Sequence, residues 1–137
     1  MAAQRGFTLL EVTVVIAILG LVAGIIATRG PLRSERFELA SSARILASTL
    51  RLARSQAIVS DRIVAVVARG DAFAIEGGPV SHLPRGEVLS ERRILFTPSG
   101  QSSGTTFVVA GRTGRILVSV NWLTGQVRVS AYQPSEA

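Results

Sequence analysis

Arg5-Gly6-Phe7-Thr8-Leu9-Leu10-Glu11-Val12, followed by an apolar run to Thr28, is the stretch that decides this chain. A short basic leader ends in glycine, a phenylalanine follows, and one carboxylate stands inside an otherwise apolar segment of helical length. A lone charge at the centre of a membrane helix costs about 2.5–3.5 kcal/mol on insertion scales, so such a residue marks a functional site when a partner is available. Here the partner is the α-amine that cleavage between Gly6 and Phe7 would create. About twenty apolar residues span a bilayer, and the run from Phe7 to Thr28 meets that length if Glu11 sits near an interface. A secretory signal peptide has an apolar core of about 7–15 residues and a small-residue cleavage site. This run is longer, although Ala23-Gly24 and Ala27-Thr28 offer small residues. A plain membrane anchor accounts for the length but needs neither Glu11 nor Gly6 beside Phe7.

Beyond the span, the chain of 137 residues leaves room for one domain with a modest core. It contains no cysteine, which removes a disulfide framework, a thiol nucleophile and a cysteine-type zinc site. The net charge is +6, every one of the 15 basic residues is arginine, and loss of Arg5 with the leader leaves +5 on side chains. Such a surface attracts acidic partners, anionic lipid or nucleic acid. Solvation of an ordinary domain surface is the simpler reading.

Gly30-Pro31 interrupts the apolar helix, and a kink or short break is expected there, because proline removes one helical hydrogen bond and crowds the preceding turn. Leu39, Ala43, Leu46, Leu50, Ala53 and Ala57 then step by fours and threes and draw one apolar stripe. Ser34 is the expected cap of this second helix, with Glu35 and Glu38 in its first turns, and its end is expected near Ser60-Asp61. The face carrying Arg44, Arg51 and Arg54 reads as solvated. After Ser60 come short β runs: Arg62–Arg69, Ala72–Glu76 across Gly70-Asp71, Arg92–Thr97, Thr105–Ala110, Arg115–Trp122 and Gln126–Tyr132. Residues 77–87 and 98–104 read as loops, and Phe96 and Trp122 as core aromatics. No helix separates the strands, so antiparallel pairing is favoured. The expected class is α+β, a long N-terminal helix packed on a small antiparallel β-sandwich or curled sheet.

The Gly6-Phe7-Thr8-Leu9-Leu10-Glu11 pattern resembles the prepilin leader of type IV pilins and type II secretion pseudopilins. The segments Leu50–Ile58, Ile63-Val64-Ala65-Val66, Ile94–Gly100 and Thr124-Gly125-Gln126-Val127 look like those of the GspH/FimT group, nearest to its H-type minor pseudopilins. The resemblance implies a leader at 1–6, a transmembrane helix at 7–29, an amphipathic periplasmic helix at 30–60 and a periplasmic β domain at 61–137. It implies cleavage by a prepilin peptidase after Gly6, N-methylation of Phe7, and a register role for Glu11 against the N-terminus of a neighbouring subunit in the membrane. Gly20 and Gly24 form a small-x-x-x-small pair suited to close helix packing. The implied protein is a minor pseudopilin of the cell inner membrane, single-pass with a cytoplasmic N-terminus. Its implied partners are major and minor pseudopilins, the prepilin peptidase, the inner-membrane secretion platform and membrane lipid. Arg29, Arg33 and Arg36 outnumber Arg5 across the span, so the positive-inside rule alone favours the opposite orientation.

The alternative within the same resemblance is a minor pilin of a type IV pilus that binds DNA through Arg112, Arg115 and Arg128. Those arginines are scattered and lack interleaved aromatics, so nucleic acid is disfavoured. Major pseudopilins bind calcium through acidic residues near the C-terminus, whereas Glu136 is the only acid after Glu91 here. His82 is the only histidine, and no paired carboxylates or phosphate loop accompany it. The expectation is therefore a non-enzyme with no cofactor and no metal.

Overall fold

The computed structural model describes residues 7–28 and 32–133. The chain divides into two compact units, Met1–Ser34 and Glu35–Ala137. The leader Met1–Gly6 and the Gly30-Pro31 pair, where a break was expected, lie outside the described residues.

The first unit is built on helix α1, Leu9–Thr28, which has 20 residues and buries none of them. At 1.5 Å per residue it is about 30 Å long, the thickness of a bilayer core. It is the one helix among the described residues long and apolar enough to cross a membrane. A helix that is apolar all round has no face to turn to water. Its hydroxyls are satisfied internally: Thr13 Oγ1 donates to the Leu9 carbonyl at 2.7 Å and Thr28 Oγ1 to the Ile25 carbonyl at 3.0 Å. That arrangement suits an environment without water to bond them.

Helix α2, Leu32–Ser60, opens before Ser34, so Ser34 lies inside it and is not its cap. The helix ends where expected. Asp61 takes the left-handed conformation at φ +50°, and the Arg62 N–H donates back to the Ala57 carbonyl at 3.3 Å. This is a Schellman-type stop, with an aspartate where glycine is usual. Within the second unit, Leu39, Ala43, Leu46, Leu50, Ala53 and Ala57 are all buried, as the stripe predicts, and Ala47 joins them.

Seven strands follow: β1 Val64–Gly70, β2 Ala72–Ile75, β3 Ser81–His82, β4 Val88–Phe96, β5 Thr105–Gly111, β6 Gly114–Val120 and β7 Val127–Ala131. All pairings are antiparallel, in the order β3-β2-β1-β4-β5-β6-β7. The strands thus form one continuous antiparallel sheet, and the expected α+β class holds. The join is narrow, because β4 meets β5 only through Val88↔Ala110 and Leu89↔Val109. Beyond it Ser90 Oγ accepts from the Val108 N–H at 3.0 Å, and β4 runs on beside β1, its end bridged by Phe96↔Ser102 and by the Ser103 N–H donating to the Leu95 carbonyl at 3.0 Å. β3 lies within a stretch read as loop, since Gly77-Gly78-Pro79 and Pro84 bracket only two paired residues. Gly70, at φ +63°, turns the β1–β2 corner, the role glycine takes first in a two-residue hairpin.

Alternate residues of the strands point at the helix. Val66 and Ala68, Ile94 and Phe96, Phe107 and Val109, Val118 and Val120 join the helical stripe in one core. Phe73, Phe96 and Phe107 are its largest fully buried side chains. Trp122 is not among them: it is 64 % exposed on the β6–β7 turn, where its Cβ faces Gly104. Phe107→Ala should cost about 3–5 kcal/mol by removing a fully buried ring. Val129→Ala, on an exposed edge position, should change stability by less than about 0.5 kcal/mol. Chemical denaturation of the detergent-solubilised chain measures both.

Candidate functional site

The N-terminal end of α1 is built by a cap. Thr8 stands just outside the helix, and its Oγ1 accepts from the Glu11 N–H at 3.3 Å while its carbonyl accepts from Glu11 and Val12 at 3.0 and 3.3 Å. Thr8-x-x-Glu11 has the sequence form of a capping box, in which the glutamate would reach back to the cap residue's N–H. Here only the threonine half forms, and among the described residues the Glu11 carboxylate has no hydrogen-bond partner. A carboxylate in the first helical turn is favoured by the helix dipole. Glu11 therefore costs less here than at mid-span, and its oxygens are left for a group outside the helix. Phe7, one residue before the cap, is 81 % exposed. Gly6, the other half of the expected cleavage site, lies outside the described residues.

Gly20 and Gly24 face open space: a Cβ built on either meets nothing within 4 Å. At 3.6 residues per turn they lie about 180° and 140° around the axis from Glu11. The carboxylate and the small-residue pair thus look in nearly opposite directions, and one partner helix does not meet both.

The second unit brings together three segments that the sequence left apart. Arg54, on the face read as solvated, is half-buried, and its Nε donates to the Gly100 carbonyl at 2.9 Å. Arg51 Nη2 reaches the Val127 carbonyl at 3.4 Å, a weaker bond from the same face. Gly100 and Gly125 both have positive φ, +83° and +65°. A Cβ on Gly125 would collide with the Gly100 carbonyl and with Arg54; one on Gly100 would press on Arg54 and Ile58. Asn121 shapes the same turn, its Oδ1 accepting from the Leu123 and Thr124 N–H groups at 2.9 and 3.0 Å. The helix segment, the Pro98-Ser99-Gly100 loop and the Thr124-Gly125 turn therefore meet at one guanidinium. Helical spacing alone gave no sign that Arg54 would be held, because the two glycines that admit it are 46 and 71 residues further along the chain.

The remaining candidates stay dispersed. Arg112 lies 3.9 Å from Glu35, Arg115 sits 5.6 Å from the Tyr132 ring centroid, and Arg128 donates to Gln126 at 3.2 Å. Arg115 and Arg128 are near opposite ends of the β6–β7 ladder. His82 and Asp71 are 3.9 Å apart and mostly exposed. Among the described residues no three acidic, histidine or cysteine side chains cluster to hold a metal ion.

Residues 1–27 match the prokaryotic N-terminal methylation motif. The fold is similar to that of the type IV minor pilin FimU of Pseudomonas aeruginosa, with TM-score 0.59 and 22 % identity over 71 % of this chain and 91 % of that one. It is similar also to the minor pseudopilin EpsH of the Vibrio cholerae type 2 secretion system, with TM-score 0.58 and 16 % identity over 69 % and 97 %. No curated protein sequence matches the chain significantly. The chain thus joins an N-terminal methylation motif to a fold like that of these minor pilin and minor pseudopilin structures.

Gly125→Ala should lower the melting temperature, and Arg54→Ala should cost about 1.5–3 kcal/mol, the value of a hydrogen bond to a charged group. Arg54→Lys, which lacks the guanidinium fork, should recover only part of this. Thermal denaturation of the three variants checks the order.

Proposed function

We propose that the chain is a minor pseudopilin of a type II secretion system. It is a structural subunit, not an enzyme, of a short periplasmic filament that moves folded proteins across the outer membrane. The observation that carries this reading is the start of α1, where a methylation motif leads into a capped, span-length apolar helix whose Glu11 carboxylate has no hydrogen-bond partner among the described residues. A prepilin peptidase cuts after Gly6 on the cytoplasmic face of the inner membrane and methylates the new amine of Phe7. Glu11 then meets the positive N-terminus of a neighbouring subunit, where low dielectric makes the attraction far stronger than in water. Gly20 and Gly24, on the other side of the helix, admit a second neighbour closely. The partners are other pseudopilins, the peptidase, the secretion platform and the lipid around α1. The fold likeness to EpsH, which extends over 97 % of that chain, supports the secretion role.

A second reading is favoured by the equal likeness to FimU: a minor pilin of a type IV pilus. Deleting the gene separates the two. Loss of protein export with intact pili supports the pseudopilin; loss of pili with normal export supports the pilin.

Mass spectrometry of the mature chain should find N-methylated Phe7 as the first residue, only in cells that carry a prepilin peptidase. An intact Met1 or Ala2 in both strains would remove the leader from the argument. Glu11→Ala should leave processing intact and reduce assembly; unchanged export and piliation would sink the register role.

A further inference from the structure

We propose that a cleft in the second unit, lined by Glu35, Glu38, Leu39, Arg85, Glu87 and Arg112, is the seat of a basic side chain from a neighbouring protein chain. The cleft encloses about 80 Å³ between α2, the turn before β4 and the β5–β6 turn. Its decisive group is Glu87, which is 7 % exposed. The Glu87 Oε2 is buried and, among the described residues, has no hydrogen-bond partner. Buried polar atoms are nearly always paired, and an unpaired carboxylate oxygen is among the costliest to leave. The turn itself is held by the backbone, with the Glu87 N–H donating to the Pro84 carbonyl at 3.2 Å. That bond does not use the side chain.

The charges around Glu87 point to a cation. Glu35, Glu38 and Glu87 face two guanidinium groups, which leaves a local excess of negative charge on a chain of net charge +6. Arg112 does not relieve it: its Nη1 lies 3.9 Å from Glu35, and its side chain is 80 % exposed. The three carboxylates are also not close enough to hold a metal ion, which would need several oxygens at about 2.3–2.6 Å. Dispersed carboxylates fit a larger cation with several N–H donors, and a guanidinium offers five in a planar fork. Space has been kept for it. A Cβ on Gly111 would stand 3.1 Å from Leu39 Cδ1 and 3.4 Å from Glu87 Cγ, so glycine there leaves the floor of the cleft open.

That the cation is carried by a neighbouring chain rests on the assembly proposed above. The test reads binding directly, so its failure is distinct from any failure of export or piliation. The full-length protein in detergent micelles is titrated with acetyl-arginine amide and, separately, with calcium chloride. Acetyl-arginine amide should bind saturably. Glu87→Gln should weaken that binding at least about ten-fold, equivalent to about 1.4 kcal/mol, without lowering the melting temperature of the unliganded protein. Glu38→Gln, at an exposed position, should weaken it by a smaller factor. Absence of saturable binding, or equal binding by both variants and the parent, would overturn the proposal. So would a calcium response lost in Glu87→Gln, which would make the cleft a metal site. A fall in melting temperature with Glu87→Gln would show that the carboxylate is already paired within the fold, and would overturn it as well.

Discussion

Four alanines and three leucines of α2 lie against the inner face of the sheet, and that contact organises the second unit. Ala43, Ala47, Ala53 and Ala57 carry little side chain, so much of the volume between helix and sheet is filled from the sheet side. Phe73, Phe96 and Phe107 supply that volume. The pairing of small helical residues with large sheet residues fixes which strand positions must be aromatic and which face of the helix is used. The same helix presents Arg54 to the Gly100 carbonyl and Leu39 to Gly111, where a side chain on either glycine would be crowded. A leucine at any of these alanines would lift the helix from both ends of that arrangement.

The helices and most strands were legible because burial imposes a period. The six-residue stripe from Leu39 to Ala57 repeats at the helical spacing, and all six residues are buried. Strands β1, β5 and β7 alternate or run apolar between glycine-containing turns and were placed within a few residues. What failed had no period to read. β3 pairs through two residues, too few for alternation to register. β4 begins at Val88, four residues before the expected Arg92, because the polar Ser90 and Glu91 interrupt the apolar pattern and sit at the register shift of the β1–β4 ladder, between the paired Leu89 and Arg92. Trp122 was placed inside by its size, yet the turn set by Asn121 and Gly125 holds it outside.

The candidate sites divide in the same way. The leader, Glu11 and the glycine pair are local patterns in a short stretch, and the match over residues 1–27 reads that same stretch. Arg54 and Glu87 are not local. An arginine seven or ten residues from another on a helix gives no sign of which one will be received by glycines late in the chain. A glutamate after Gly86 in a polar turn gives no sign that it will be enclosed. Both depend on chain crossings that only the tertiary fold creates, and both involve a charged group held where composition predicts a solvated one.

The narrow join between β4 and β5 bears on how the second unit holds together under strain. On one side lies a ladder of strands β1 to β4, on the other β5 to β7, each made largely from neighbouring hairpins. Ladder pairing across the seam is confined to Val88, Leu89, Val109 and Ala110, and the β4–β5 connection closes its far end through a Phe96↔Ser102 bridge and a Ser102 N–H bond to the Trp122 carbonyl at 2.9 Å. The helix, by contrast, reaches both halves: Thr49, Leu52 and Gln56 border the β2–β3 connection, while Arg51 and Leu39 approach β7 and the end of β5. The helix thus spans the seam that the β4–β5 ladder bridges only briefly. A pull along this helix would reach both ladders at once rather than pass from one to the other through the seam.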